Sequence, residues 1–176
     1  PLYMLSHYGT SELESVAIYS LGERLSHICW VVLVLPFQLA ISPYIFKNLD
    51  QPDIKQQIGK AINYYFLSFG IFAFTYLAFS RVIISVAAPG GYDASVSIMI
   101  FLMFVGIWSG FYIFGSILLQ IEKRTKLISA LVAIASVACV AMNYLFVQMF
   151  DVFGAALAAN ITTVFLALST FYAGRK

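Results

Sequence analysis

Two arginines, Arg24 and Arg81, stand inside apolar runs of this sequence. A charge near the centre of a bilayer costs at least ~2.5–3.5 kcal/mol on insertion scales. Such a residue faces a bundle interior or a water-filled cavity, or it snorkels to the headgroups. Both readings stay open here. Arg81 is eight residues from Pro89, about 12 Å at helical rise, and Arg24 has Glu23 beside it as a local partner. Other chemistry is sparse. His7 and His27 are the only histidines, and no Ser/His/Asp or Cys/His arrangement presents itself. Cys29 and Cys139 sit in apolar runs and read as reduced thiols packed as small hydrophobes. There is no phosphate-cradling glycine loop and no metal-ligand spacing, so no catalytic residue, metal or cofactor is expected. The pattern points to a protein that moves something, not to an enzyme.

Composition sets what must position those residues. The chain has 176 residues, 61% hydrophobic and 10% charged, with a mean hydropathy of +0.89. Soluble domains are about 45–50% apolar and about 25% charged. A sphere this small cannot hide so much apolar surface, so a lipid bilayer must face it. The formal net charge of +2 is too weak to indicate nucleic acid.

A membrane helix needs about 20 mostly apolar residues. Pro1 to Leu5 is too short and reads as the end of an earlier helix. A polar turn follows. Transmembrane helices are then expected at about 15–46, 61–88, 96–121, 127–150 and 154–173, with Asp151 breaking the last two apart. These runs are twice the length of barrel strands and apolar on all sides, so they must be helices. The chain opens on Pro1 and stops at Gly174-Arg175-Lys176, and both ends read as cuts.

Alternating loops sort the charges. Lys47, Lys55, Lys60, Lys123, Arg124, Lys126, Arg175 and Lys176 fall on one side. The turns at 6–14, 89–95 and 151–153 hold no Lys or Arg. The positive-inside rule puts loops 47–60 and 122–126 and the C-terminal end in the cytoplasm.

Packing signals are plentiful. Gly106 and Gly110 make a GxxxG step, and Gly154, Ala155, Ala158 and Ala159 give the fifth run a small-residue face. Tyr64, Tyr65, Trp108 and Tyr112 read as interfacial aromatics. Gln38, Asn63, Asn143, Gln148 and Asn160 read as glue between helices. Pro36 is expected to kink the first helix.

Four stretches carry a family resemblance. They are Glu14-Ser15-Val16-Ala17-Ile18-Tyr19-Ser20-Leu21-Gly22-Glu23-Arg24-Leu25 after the polar turn, Ala40-Ile41-Ser42-Pro43-Tyr44-Ile45, the turn at Gly91-Tyr92-Asp93-Ala94, and Asn143 followed by Gly154-Ala155-Ala156-Leu157-Ala158-Ala159. In order and spacing they resemble the C-terminal half of a polysaccharide flippase of the multidrug/oligosaccharidyl-lipid/polysaccharide exporter superfamily. Ala17 stands where glycine is usual, and Asp151-Val152-Phe153 where a longer polar turn is usual.

The resemblance implies an all-α, polytopic transmembrane helix bundle forming one lobe of a two-lobe transporter in a bacterial inner membrane. Residues 1–176 would be a fragment of the C-terminal lobe, paired with an N-terminal lobe of the same protein. The cargo would be a lipid-linked oligosaccharide, flipped by alternating access. Its pyrophosphate would be held by Arg24 and Arg81, with Glu23 and Asn143 as polar partners; guanidinium forks suit phosphate geometry. The nearest alternative is a drug/cation antiporter of the same superfamily. A segment of a membrane glycosyltransferase or polymerase, or a non-transporting scaffold, are readings from other classes.

Overall fold

The computed structural model describes residues 12–49, 51, 53–87, 92 and 94–174. The stub at 1–5, most of the first turn, the Pro89-Gly90-Gly91 turn, and Arg175 and Lys176 lie outside them. The described chain is helical throughout, with short turns. The elements are α1 (Glu12–Cys29), a π-helical turn (Trp30–Val34), α2 (Leu35–Lys47), α3 (Ile54–Ala78), α4 (Ser80–Ala87), α5 (Ala94–Ile121) and α6 (Thr125–Ala173).

By length and composition, four helices can cross a membrane: Val16–Lys47, Gln56–Ala78, Ala94–Ile121 and Thr125–Ala173. Such apolar helices imply contact with a lipid bilayer. The fourth has 49 residues. Straight, it would be about 73 Å long, more than twice a hydrocarbon core of about 30 Å. It is not straight. Asp151 has φ 50° and ψ −125°, outside the helical region. A Cβ placed on Gly154 would lie 2.0 Å from the Phe146 carbonyl oxygen. Residues eight apart in a straight helix are about 12 Å apart along the axis. The chain therefore folds back at Asp151, and 125–150 runs antiparallel to 152–173.

Contacts along the spans fix the other directions. Ser95 Oγ donates to Ile18 O at 3.0 Å, and Gly22 faces Ile98 and Met99, so α1 and α5 run parallel. Tyr65 OH donates to Gly106 O at 2.8 Å, while the Tyr65 ring lies over Gly110 and the Phe69 ring over Gly106. That makes α3 antiparallel to α5. Asn160 Nδ2 donates to Phe101 O at 2.9 Å, and Gly115 meets Thr170 and Phe171. The segment 152–173 is thus parallel to α5. Lys47, Lys60, Lys123, Arg124 and Lys126 consequently share one end of the bundle. Tyr92 and Asp151 share the other.

The core explains why the spans stay together. One cluster packs Cys29, Val34, Ile41 and Ile45 against Tyr65, Phe69, Met103, Ile113, Phe114 and Ile117. A second packs Tyr19 against Ile98, Leu102, Val147, Val152, Ala155 and Ala156. Small residues at 155, 156 and 158 are fully buried, which lets backbones approach where lipid gives no hydrophobic drive.

Several expectations need correction. The 47–60 stretch is not all loop, because α3 begins at Ile54. Ile58 and Ile62 continue an i, i+4 stripe onto the core, and Tyr44 OH donates to Gln57 Oε1 at 2.6 Å, tying α2 to the first turns of α3. Burial on one face extends the helix beyond the apolar run. The 61–88 run is not one helix either. It breaks at Phe79, with φ −95° and ψ 6°. Tyr65 is core, not belt: it is 2% exposed and rings of Phe37, Phe66, Phe69 and Phe114 surround it. Of the polar residues read as glue, Asn160 bridges helices, whereas Gln38, Asn63 and Gln148 stand exposed.

Pro36 acts one turn upstream of itself. Its ring would crowd the carbonyl four residues back. The chain widens there into the π turn, and Leu35 N–H donates to Trp30 O. π turns inside α-helices frequently mark functional sites.

Candidate functional site

The π turn opens onto a recess of about 210 Å³. Its polar wall comes from α1 and the first residue of the π turn: Glu23, Ser26, His27 and Trp30, at i, i+3, i+4 and i+7. Positions so spaced share one helical face. The apolar wall is Leu102, Met103, Val105 and Gly106 of α5 with Ala159 of α6. Gly22 is what lets α1 lie this close to α5, since a Cβ there would be 2.9 Å from Ile98 Cγ2 and 3.2 Å from the Met99 nitrogen.

The recess has structure of its own. His27 and Trp30 stack, with ring centroids 5.4 Å apart and planes 17° from parallel. Ser26 Oγ donates back to Glu23 O at 2.8 Å, so its hydroxyl proton is already committed. Glu23 is half-buried. An ionisable side chain within a span is stabilised by facing a cavity, and Glu23 faces one. Tyr19 closes the end of the recess, 1% exposed, and packs in one cluster with Val147 of α6.

Asn143 lies one helical turn before Val147 on α6. It is 3% exposed, and its Nδ2 donates to Cys139 O at 2.9 Å and to Cys139 Sγ at 3.4 Å. Among the described residues its Oδ1 accepts no hydrogen bond. Glu23 is thus one turn along α1 from Tyr19, and Asn143 one turn from the Val147 that packs on it. The arginines are elsewhere. Arg24 is exposed on the adjacent face of α1, and Arg81 is exposed on α4. Leu25 and Ile84 pack in one cluster, which puts the two arginines at a similar depth. Neither lines the recess. The one ion pair among the described residues is Arg124–Glu122, at 3.4 Å, so Glu23 does not neutralise Arg24.

Sequence reading missed His27, Trp30 and Ser26 as a group. The signal was the helical spacing from Glu23, which a search for catalytic partners does not weigh. Among the described residues no three of His, Cys, Asp or Glu converge on a metal position. What the recess offers is a ring-sized slot with a π ledge, a carboxylate and an imidazole. Pockets for drug-sized ligands run about 300–1,000 Å³, so a single ring fills this one. No protein-family model matches the chain, and neither a curated protein nor a solved structure does.

Proposed function

We propose that the chain forms one lobe of a transporter that carries a lipid-linked oligosaccharide across a cytoplasmic membrane by alternating access. The observation that carries the reading is a recess between three membrane-length helices, with polar groups on one wall and apolar groups on the other. The ledge of His27 and Trp30 suits the flat face of a sugar ring, and Glu23 accepts from its hydroxyls. Arg24, one face over and exposed, is placed to meet a phosphate arriving from the facing N-terminal lobe, and Arg81 stands at a similar depth. Asn143 steadies the wall behind Tyr19. The lipid tail stays in the bilayer. In this reading the chain crosses five times, reversing at Asp151, and the basic end is cytoplasmic.

The test is export of surface polysaccharide by the full protein carrying single substitutions, with membrane insertion checked separately. Arg24→Ala and Trp30→Ala should each lower export about tenfold or more with insertion intact. Wild-type export in both sinks the reading.

One observation favours a second reading. The lining holds an acid and no lysine or arginine, which suits an organic cation stacked on Trp30. A drug/cation antiporter would then lose efflux of a fluorescent cation in Glu23→Gln while Arg24→Ala kept it.

A further inference from the structure

The turn between α5 and α6 places a lysine where glycine is cheaper. Lys123 N–H donates to Gln120 O at 2.9 Å, and Arg124 N–H donates to Leu119 O at 2.8 Å. These are the paired bonds of a Schellman cap. The cap needs a left-handed residue at its turning point, usually glycine because it has no Cβ to clash. Lys123 occupies it, at φ 58°. A residue held in a disfavoured conformation points to a use for its side chain.

That side chain is exposed, as are Arg124 and Lys126. Glu122 engages Arg124, and among the described residues neither Lys123 nor Lys126 has an acidic partner. Lys60 stands deeper in the same half of the bundle: the pairing of Tyr65 with Gly110 and of Phe69 with Gly106 puts it near the level of Gly115, from which a long lysine stem can reach toward that end. Lys47 ends α2 at that end. This end is where the apolar spans stop, so headgroup phosphates lie against it.

We infer that this basic end is a docking surface for anionic phospholipid headgroups, with Lys123 and Lys126 holding the lipid phosphate and Lys47 and Lys60 extending the positive field. The inference is independent of the cargo. Each basic residue beside an anionic leaflet strengthens binding about fivefold. Neutral zwitterionic lipid gains nothing comparable.

The test uses the whole chain in detergent, with retained phosphatidylglycerol and phosphatidylcholine counted by native mass spectrometry. Wild type should retain phosphatidylglycerol preferentially. Lys123→Gly should lower that retention about fivefold while raising thermal stability, since glycine suits the cap. Adding Lys126→Gln should lower retention further, to about a twentieth or less. Equal retention of the two lipids by wild type overturns the inference. So does a double variant that keeps the wild-type preference, because the stability readout shows that its fold is intact.

Discussion

Gly154→Leu should unfold the end of the bundle that Asp151 closes, and Gly154→Ala should already weaken it. A Cβ at 154 would sit 2.0 Å from the Phe146 carbonyl oxygen and 2.9 Å from the Val147 nitrogen. Both are backbone atoms, so no side chain can swing aside to relieve the clash. Room can come only from moving 125–150 away from 152–173. That movement would pull Val152, Ala155 and Ala156 off Tyr19 and Val147 in their shared cluster. Overpacking costs typically 1–3 kcal/mol and occasionally more; here we expect about 3 kcal/mol for leucine. The neighbouring turn residue should respond far more weakly. Asp151 holds a positive φ, so in Asp151→Gly the relief of backbone strain offsets part of what its side-chain interaction contributes. The measurement is thermal unfolding in detergent, followed by helical circular dichroism. A wild-type midpoint for Gly154→Leu would mean that the two halves of α6 do not fold back on one another.

Gly110→Ala should be the second large loss. Its Cβ would stand 2.1 Å from the Tyr65 ring. Tyr65 is hemmed in by four aromatic rings and cannot tilt freely. Displacing it also strains its hydrogen bond to Gly106 O, worth about 0.5–1.5 kcal/mol net. Together with overpacking, we expect about 2–3 kcal/mol. Gly70→Ala is the matched control, since no atom lies within 4 Å of the Cβ it would carry. There, greater helix propensity should stabilise by about 0.5–1 kcal/mol. Opposite signs for two Gly→Ala changes would identify ring packing, not helix propensity, as the cause. Equal effects would refute that assignment.

These glycines also show what a sequence can reveal. Gly106-xxx-Gly110 is visible as a packing step, but the sequence does not say what it receives. Aromatic rings of α3 fill it, while close backbone approaches lie at Gly154 and at Gly115, where an added Cβ would be 2.8 Å from the Phe171 nitrogen. Composition made the apolar runs plain, because lipid-facing helices are greasy on every side. For the same reason, hydropathy cannot separate core from lipid: Tyr64 is 66% exposed and Tyr65 is 2% exposed. The start of α3 was hidden because polar residues 54–60 carry their isoleucines at helical spacing within a charged stretch. Asp151 stood out as an acid between two apolar runs. Its backbone explains why the interruption reverses the chain where a proline would only bend it. At the recess, Glu23 and Asn143 were legible as polar intruders in apolar helices. His27 and Trp30 were not, because their meaning lies in sharing a face with Glu23 that ends at the π turn which Pro36 imposes upstream of itself.

The spans of the bundle alternate direction, with the lysine-rich turns at one end and Tyr92 and Asp151 at the other. Single cysteines introduced by Lys123→Cys, Tyr92→Cys and Phe150→Cys, in a Cys29→Ser, Cys139→Ser background, test this arrangement. Each should be labelled by an impermeant maleimide in sealed vesicles of known orientation. The alternating bundle predicts that position 123 reacts from one face of the membrane only, and positions 92 and 150 only from the other. Labelling of positions 123 and 150 from the same face would contradict it.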